Sequence, residues 1–480
     1  MAQSFDVLIR GATVVDGTGA PRFAGDVAIQ GDRIARVGSL DGARAKHEYD
    51  ARGLVLAPGF IDAHTHDDSV MLPGGDVTPK VSQGVTTVIG GNCGCSIAPM
   101  PRAIPNPVPP PLDLIAARGG WIYRRFSDYV RVLEATPPAI NCAMLVGHNT
   151  LRVAVMAKLQ RPASEKEVRL MRDLADQSLE AGAIGVSTGL AYAPGRCAPI
   201  EEVIEVCEPL RDHHGLYCTH MRNEGDDIVD SLEETFRVGA SLGIPVNISH
   251  HKLIGVHNHG RSKETLGLIA DRMTSQAVYL DCYPYTASST VLLPERVETA
   301  SRTLITWSKG APRYAGWDLA DIVADMGVTR DGAIARLQPA GAVYHNMSDE
   351  DVERILAFDA TMVGSDGLPN DERPHPRLWG TFARVLGHYS RDLGLFPLEK
   401  AIHKMTGLTA GNFGLIDRGV IREDAFADLT LFDAGGVAET ATYTNPSQRA
   451  AGVCKVWVNG DLVWDGDRLS GAHPGRFLTH

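Results

Sequence analysis

Two histidines stand two residues apart at the end of an apolar run, an arrangement that can hold a metal ion. The run Leu54–Ile61 is apolar enough to form a strand buried on both faces, and His64 and His66 follow it. Side chains at positions i and i+2 of a strand point the same way, so both rings converge beyond the carboxyl end of the strand. Alone, such a pair is more often two hydrated histidines beside a turn, so other residues must decide.

Other side chains that commonly bind metals follow further strand-like runs. They are Cys93 in Asn92-Cys93-Gly94-Cys95, His220 after Thr219, His250 in Ser249-His250-His251-Lys252, and Asp366 in Ser365-Asp366-Gly367. If the strands are parallel and close into a barrel, their carboxyl ends form one rim, which is where such enzymes carry catalytic groups. Ligand-type residues then stand at five of the eight predicted strand ends. We therefore interpret them as one metal site.

The middle of the chain alternates between strand-like and helical patterns, as such a rim requires. The strand candidates are Leu54–Ile61, Val85–Ile89, Cys142–Val146, Ala183–Val186, Gly215–Thr219, Pro245–Ser249, Ala277–Asp281 and Thr361–Gly364. The helical patterns between them are Ser164–Gly182, Ile200–His214, Asp230–Leu242, Lys263–Ser275 and Leu398–Leu408. This order predicts an α/β fold, a (β/α)8 TIM-type barrel. A doubly wound open sheet is the alternative, but no Gly-x-Gly-x-x-Gly fingerprint follows the first strand.

Short strand-like runs at both ends of the chain predict a second, smaller unit. Neither end has enough strands to close a core, so we expect one small β-domain of sandwich type from residues 1–56 and 415–480, with the barrel at 57–414 inserted into it. The interval between the seventh and eighth barrel strands is too long for a loop. It predicts an inserted subdomain over residues 286–348 that covers the active site. The proline-rich stretch Met100–Pro111 predicts a stiff extended loop on the same face.

Composition limits the partners of the protein. The chain has 58 acidic and 46 basic side chains, a net charge of −12 and no long basic run, which argues against nucleic acid or an anionic membrane as partner. No apolar run approaches a membrane span and Met1–Arg10 lacks the pattern of a secretion signal, so we expect a cytoplasmic protein. The eight scattered cysteines then predict reduced thiols. The sequence leaves the oligomeric state open.

The donor set points to zinc and to hydrolysis. Imidazole, thiolate and carboxylate ligands together suit Zn²⁺ better than Mg²⁺ or Ca²⁺, which prefer oxygen ligands. Bound zinc lowers the pKa of a water molecule from 15.7 to about 7 and polarises a carbonyl group. Asp366 is the candidate general acid/base, which takes a proton from that water and delivers it to the departing nitrogen. This role is compatible with its being a metal ligand.

The chain resembles the N-acyl-D-amino-acid deacylases (D-aminoacylases) of the amidohydrolase superfamily over essentially all of its 480 residues. The motifs are Pro58-Gly59-Phe60-Ile61-Asp62-x-His64-x-His66-Asp67-Asp68, Gly91-Asn92-Cys93-Gly94, Thr219-His220-Met221-Arg222, Ser249-His250-His251-Lys252, Gly364-Ser365-Asp366-Gly367 and Arg373-Pro374-His375-Pro376-Arg377. The resemblance implies zinc-dependent hydrolysis of the amide bond of N-acyl-D-amino acids. It also implies a tight zinc on Cys93, His220 and His250, and Asp366 as general acid/base.

A second, weaker metal position is implied by the same resemblance. It would consist of His64 and His66 with Cys93 as the bridge. Many superfamily members bridge two metals with a carboxylated lysine instead. The end of the fourth predicted strand carries Ser187-Thr188-Gly189 in this chain, which supplies no such lysine.

The remaining polar residues of the rim fit an amino-acid substrate. Lys252, Tyr283, Ser289 and Arg377 are candidate donors to the substrate α-carboxylate, and Tyr192 is a candidate lining residue. An arginine can bind a carboxylate through two parallel hydrogen bonds. The chirality of the substrate is implied by the resemblance alone.

The substrate side chain is predicted from the residues around the pocket. Ala191 is not bulky, and the inserted segment offers Arg296 and Arg302, which favour N-acyl-D-glutamate. Glu298 opposes this unless an arginine neutralises it. Broad specificity for hydrophobic N-acyl-D-amino acids is the alternative.

Two other functions are open at this stage. Another amidohydrolase reaction, such as opening a cyclic amide or deamination, shares the histidine pair and the aspartate. It usually needs a bridging lysine or a helper glutamate, which the sequence does not place. A catalytically silent homologue would be expected to lose ligands, whereas all six are present.

Overall fold

The computed structural model describes residues 4–115 and 123–479. The strands are β1 Ser4–Val14, β2 Phe23–Gln30, β3 Arg33–Gly38, β4 Arg44–Asp50, β5 Val55–Pro58, β6 Phe60–Asp62, β7 Val85–Gly90, β8 Asn141–Gly147, β9 Gly185–Gly189, β10 Leu216–His220, β11 Val246–Ile248, β12 Val278–Cys282, β13 Ala287–Val291, β14 Arg302–Ser308, β15 Ala340–His345, β16 Thr361–Val363, β17 Leu429–Phe432, β18 Val453–Val458 and β19 Asp461–Trp464. Residues 1–3 and 480, which the predicted β-domain includes, lie outside the described residues.

Helices follow most of the central strands. They are α1 Thr78–Val81, α2 Phe126–Ala135, α3 His148–Val155, α4 Glu165–Glu180, α5 Ala193–Arg196, α6 Ile200–Cys207, α7 Ile228–Leu242, α8 Ser262–Met273, α9 Pro294–Thr299, α10 Leu319–Met326, α11 Arg330–Leu337, α12 Asp349–Ala357, α13 Arg377–Arg384, α14 Leu398–Met405 and α15 Gly407–Asn412. A capping box opens α4, where the side chains of Ser164 and Glu167 each accept a hydrogen bond from the other's backbone amide. Within residues 4–115 and 123–479, no helix combines the length and apolarity that a membrane crossing requires.

The central strands form a barrel of eight parallel strands, in the order β6, β7, β8, β9, β10, β11, β12 and β16. Every residue of β7 and β8 is buried, as expected for parallel strands covered on both faces. The last strand closes onto the first. The amide of Ala63 donates to the carbonyl of Val363 at 3.2 Å, and the amide of Asp366 donates to the carbonyl of His64 at 2.8 Å. The predicted (β/α)8 barrel is confirmed, and the open doubly wound sheet was the wrong alternative.

The apolar run Leu54–Ile61 is not the single strand that its composition predicts. Its first part, β5, pairs with β1 and β17 outside the barrel, and only β6 enters the barrel beside β7. Gly59 separates the two parts. A Cβ at this position would lie 2.2 Å from the side chain of Thr86, so only glycine lets the backbone pass. The run therefore serves two sheets in succession.

Strands from both chain ends form one small β-domain. Its sheet has the order β19, β18, β17, β5, β1, β2 and β3, and β4 also pairs with β1. Its core packs Ile9 and Val27 from the beginning of the chain against Leu429 and Trp457 from the end. The expectation of one β-domain built from both termini is confirmed. Neither end could bury these side chains without the other.

The interval between β12 and β16 forms the predicted inserted subdomain. Its sheet has the antiparallel order β13, β15 and β14. Helices α9 to α11 accompany this sheet, and a separate hydrophobic core contains Ile305, Tyr314, Leu337 and Tyr344. The subdomain therefore has a core of its own beside the barrel.

Buried polar groups join the β-domain to the barrel. The carboxylate of Asp428, just before β17, pairs with Arg418 and accepts a hydrogen bond from the side-chain amide of Asn141 at 3.1 Å. Its other oxygen accepts from the backbone amide of Asn459 at 2.8 Å. All four residues are buried. Because water does not reach this contact, the guanidinium of Arg418 depends on Asp428 for its counter-charge.

We predict that Asp428→Ala lowers the free energy of unfolding by about 3–5 kcal/mol, because the variant leaves a buried arginine unpaired. Urea titration followed by circular dichroism measures this change. The control is Asp467→Ala, because the side chain of Asp467 is 86% exposed in its pair with Arg449. That variant should change stability by no more than about 0.5 kcal/mol. Equal losses in the two variants would contradict the role given to Asp428.

Candidate metal centre and substrate site

The six predicted metal ligands meet at the carboxyl-end rim of the barrel. They are His64 and His66 after β6, Cys93 after β7, His220 at the end of β10, His250 after β11 and Asp366 after β16. The sulfur of Cys93 lies 3.3 Å from Nε2 of His64 and 3.3 Å from Nε2 of His250. The ligand atoms form two groups, each within 4.8 Å: His64, His66, Cys93 and Asp366, and Cys93, His220 and His250. Cys93 belongs to both.

Three of these ligands have an unusual backbone conformation. Cys93, His250 and Asp366 have φ angles of 54°, 38° and 48°, in the left-handed region that residues with a Cβ rarely adopt. Each follows a barrel strand, and the left-handed turn ends the alternation of side chains along that strand. Such a conformation costs about 1–3 kcal/mol per residue and persists where the surrounding structure holds it. The period of two in a strand is therefore not enough to predict where these side chains point.

The chemistry of the donor atoms fits a metal ion. Burial lowers the pKa of His250 to about 4 and that of His220 well below its ordinary value, so both rings are neutral. Both ring nitrogens of His220 are buried and have no hydrogen-bond partner among the described residues. Burial also raises the pKa of the Cys93 thiol well above its ordinary value, and a bound cation is what deprotonates such a thiol. Neutral imidazoles and one sulfur ligand fit zinc.

Asp366 lies between the histidines and a guanidinium group. Its Oδ1 is 3.1 Å from Nε2 of His66, and its Oδ2 is 2.8 Å from Nη1 of Arg377. Burial alone would raise the pKa of Asp366, but Arg377 and His66 outweigh it and hold that pKa well below its usual range. The carboxylate is therefore ionised and able to accept a proton.

The five predicted substrate residues also lie at this rim, and all are buried: Tyr192, Lys252, Tyr283, Ser289 and Arg377. The guanidinium of Arg377 lies 4.6 Å from the ring centre of Tyr283 and donates to the carbonyl of Ser289 at 3.0 Å. The ring of Tyr192 packs 4.7 Å from that of His220. Arg377 is thus already paired within the protein.

A cavity of about 570 Å³ is lined by Tyr192, alone among these five residues, and by Ala191, Ile254, Leu293 and Arg296, among others. Of the three charged residues predicted to determine the side-chain preference, Arg296 is the one that is buried here.

The other two charged determinants, Arg302 and Glu298, do not line the cavity. Arg302 is half exposed and pairs with Asp318 at 2.7 Å. Glu298 is exposed and pairs with Arg330 at 3.8 Å. Both pairs lie within the inserted subdomain, so neither residue neutralises or charges the cavity.

Two charged groups beside the ligands are absent from the sequence prediction. Glu224 is buried within reach of His220 and His250. Asp281 places Oδ1 3.4 Å from Nδ1 of His64 and accepts a hydrogen bond from the amide of His250 at 2.9 Å. The signal for Asp281 was present, because it ends a predicted strand. Glu224 lies four residues after His220, in the turn that follows β10. The strand pattern gives no signal for a residue at that position.

A buried lysine connects the first and last barrel strands beneath the ligands. The ammonium group of Lys80, in α1, donates to Oδ2 of Asp62 and to the hydroxyl of Ser365, both at 2.8 Å. It also pairs with Asp67 at 3.1 Å. Oδ1 of Asp62 accepts from the amide of Ser365 at 2.7 Å. These contacts place the residues next to His64 and Asp366, and the sequence prediction did not include Lys80.

Comparison with known proteins gives concordant results. The model of the Amidohydrolase family matches residues 47–308 and 329–464. The D-aminoacylase of Alcaligenes xylosoxydans xylosoxydans is 55% identical over 478 residues, which are 100% of this chain and 98% of that protein. A crystal structure of D-aminoacylase, 56% identical, superposes with a TM-score of 0.97 over 99% of this chain and 100% of that one.

A second solved structure is the N-acyl-D-glutamate deacylase of Bordetella bronchiseptica in complex with zinc and a phosphonate inhibitor. It is 42% identical, with a TM-score of 0.96 over 100% of both chains. The likeness in sequence and in structure extends over the barrel, the β-domain and the rim described above. The chain therefore belongs to the amidohydrolase superfamily, among its N-acyl-D-amino-acid deacylases.

Proposed function

We propose that this deacylase depends on zinc held tightly by Cys93, His220 and His250, and that it releases a carboxylate and a free D-amino acid. The observation that carries the proposal is the placement of the ionised Asp366 within 3.1 Å of His66 and beside the sulfur and imidazole donors. The zinc in the Bordetella bronchiseptica relative also supports it. Both relatives act, by their names, on acylated D-amino acids, which favours linear over cyclic amides.

The residues of the candidate site have separate roles in the proposed hydrolysis. Zinc, when bound, lowers the pKa of a water molecule and polarises the scissile carbonyl group. Asp366 would accept a proton from the attacking water molecule and deliver it to the departing nitrogen, so its carboxylate must start ionised. Arg377, 2.8 Å away, supports the ionised form and holds its orientation. The burial of both residues keeps competing water away.

Recognition of the substrate α-carboxylate is assigned to Lys252, Tyr283, Ser289 and Arg377. The hydroxyl of Ser289 is buried and has no hydrogen-bond partner among the described residues, so it is available to a ligand. Arg377 divides its donors between Asp366 and the substrate. Binding of substrate and proton transfer are thus linked through one guanidinium group.

A second, weaker metal position is assigned to His64 and His66 with Cys93 as the shared ligand. The support is the overlap of the two donor groups at a single sulfur. A thiolate that already neutralises one cation attracts a second one less strongly. The second position is therefore expected to fill only at higher metal concentration.

For the substrate side chain, we infer a preference for N-acyl-D-glutamate through Arg296. A buried guanidinium in the lining of the cavity favours a second carboxylate. Broad hydrophobic specificity is the second candidate, for two reasons. Arg296 already faces Glu224 at 3.4 Å, and the cavity also exposes Leu293 and Ile254.

We predict that Cys93→Ala loses tightly bound zinc and nearly all deacylase activity while the fold remains. The thiol supplies a metal bond that alanine lacks. Elemental analysis of the purified variant, together with circular dichroism, measures both effects. A variant with normal zinc content and normal turnover would show that the site has been misassigned.

We predict a different result for Asp366→Asn. Zinc should stay bound, because the tight ligands are intact, while kcat falls by roughly 10²–10⁴ through loss of the proton acceptor. Steady-state kinetics and metal analysis on the same sample test this. An increase in KM with unchanged kcat would refute the acid/base role.

Arg296→Met tests the side-chain assignment. We expect kcat/KM for N-acetyl-D-glutamate to fall by roughly 10- to 150-fold, the equivalent of one charge-assisted hydrogen bond of about 1.5–3 kcal/mol. N-acetyl-D-leucine should be affected much less. The matched control is Arg302→Met, which removes an arginine that faces away from the cavity and should leave both values near wild type. An unchanged kcat/KM for N-acetyl-D-glutamate in Arg296→Met, or wild-type protein that hydrolyses N-acetyl-D-leucine as well as N-acetyl-D-glutamate, would favour the hydrophobic alternative.

A further inference from the structure

Glu224 lies where the metal ligands meet the cations of the substrate site. The residue follows β10 and is 98% buried. Its Oε1 is 3.1 Å from Nδ1 of His250 and accepts a hydrogen bond from Lys252. Its Oε2 is 3.4 Å from Arg296 and 3.6 Å from His220. The backbone is fixed as well, because the carbonyl of Glu224 accepts from the amide of Ile254 at 2.9 Å.

The two nitrogens of the His250 ring face different partners. Nε2 lies 3.3 Å from the sulfur of Cys93, which makes it the nitrogen that a metal would share. A neutral imidazole offers a lone pair on Nε2 only when its proton is on Nδ1. Metal-binding histidines generally donate that proton to a carboxylate or carbonyl oxygen, which fixes the tautomer. Oε1 of Glu224 is the acceptor in reach of Nδ1.

Lys252 would favour the other tautomer of His250, in which Nδ1 carries no proton. Its ammonium group lies 2.7 Å from Nδ1 of His250 and can only donate hydrogen bonds. Donation to Nδ1 would place the ring proton on Nε2 and remove the lone pair that binds the metal. In the structure the ammonium group also donates to Glu224 and to the carbonyl of His250, at 3.1 Å for the latter. Glu224 thus competes with His250 for the ammonium protons.

We propose that Glu224 is a positioning residue for the metal centre: it holds His250 in the tautomer with Nε2 free and draws the ammonium group of Lys252 away from Nδ1. The proposal rests on the assignment of His250 as a zinc ligand. It also connects the metal centre to the substrate site, because the same carboxylate pairs with Lys252 and Arg296. Without this anion, two buried cations would remain beside the bound metal ion.

The test measures zinc affinity directly. Zinc-loaded full-length protein is titrated with a chromophoric chelator, and the zinc retained is measured in wild type and in Glu224→Gln. We expect the variant to bind zinc roughly 10- to 100-fold more weakly, the usual effect of losing the partner of a metal-binding histidine. Wild-type affinity in a folded Glu224→Gln protein would overturn the proposal.

Glu202 provides a matched control. It is also a buried glutamate, paired with Arg152 and 3.3 Å from Nε2 of His148, but it has no place in the two ligand groups. Glu202→Gln should leave zinc affinity unchanged even if it lowers stability. An equal loss of zinc in both variants would mean that general loosening of the barrel explains the effect, and the proposal would fall.

The double variant Glu224→Gln with Lys252→Met removes the competing donor, together with its charge, from the protein that lacks the Glu224 carboxylate. Removing the competing donor should restore part of the zinc affinity, so the double variant should bind zinc more tightly than Glu224→Gln alone. A double variant that binds no more tightly would overturn the role given to Glu224.

A second variant covers the case in which the first does not fold. If circular dichroism shows that Glu224→Gln does not fold, Glu224→Asp takes its place. It keeps the charge but withdraws the carboxylate by one methylene, and the same loss of affinity is expected. Wild-type affinity there would equally overturn the proposal. Because no substrate is present, the result is independent of whether the wild-type enzyme hydrolyses N-acyl-D-amino acids.

Discussion

The buried ammonium group of Lys80 holds the first and last strands of the barrel together, and the candidate active site depends on that closure. It joins Asp62 at the end of β6 to Ser365 after β16, both at 2.8 Å. His66 and Asp366 lie just beyond these two residues, so their approach to 3.1 Å exists only while the strands are joined. A buried charge that loses its partner costs several kcal/mol. The same contact therefore serves the stability of the barrel and the geometry of the candidate site.

The candidate ligands could be predicted from the sequence because their signals are local. A histidine pair at spacing two, and single ligands at the ends of apolar runs, need only the rule that parallel strand ends share one rim. Glu224 and Lys80 were not predicted because they lie in a turn and in a short helix. The positions of these elements depend on the path of the chain after each strand ends. The division of the Leu54–Ile61 run into β5 and β6 was not predicted for another reason. Apolar composition reports burial, and both parts of the run are buried.

The partners of the substrate-site cations could not be predicted either. Arg377 and Lys252 lie at the rim, but each is paired with a carboxylate there, Arg377 with Asp366 and Lys252 with Glu224. An ion pair between strand-end loops depends on tertiary contact and leaves no periodic signal in a sequence. The consequence is electrostatic. The substrate site carries less free positive charge than a count of its arginines and lysines indicates.

The order of strands in the β-domain sheet affects how this sheet can form during translation. Strand β5 pairs with β17, so the sheet cannot be completed until the whole barrel has been translated. At about 5–20 residues per second, this delay is on the order of 20 to 70 s. Throughout it, β5 presents an unpaired edge of the kind that promotes association between chains. The N-terminal strands of the β-domain are therefore synthesised well before the C-terminal strand that pairs with them.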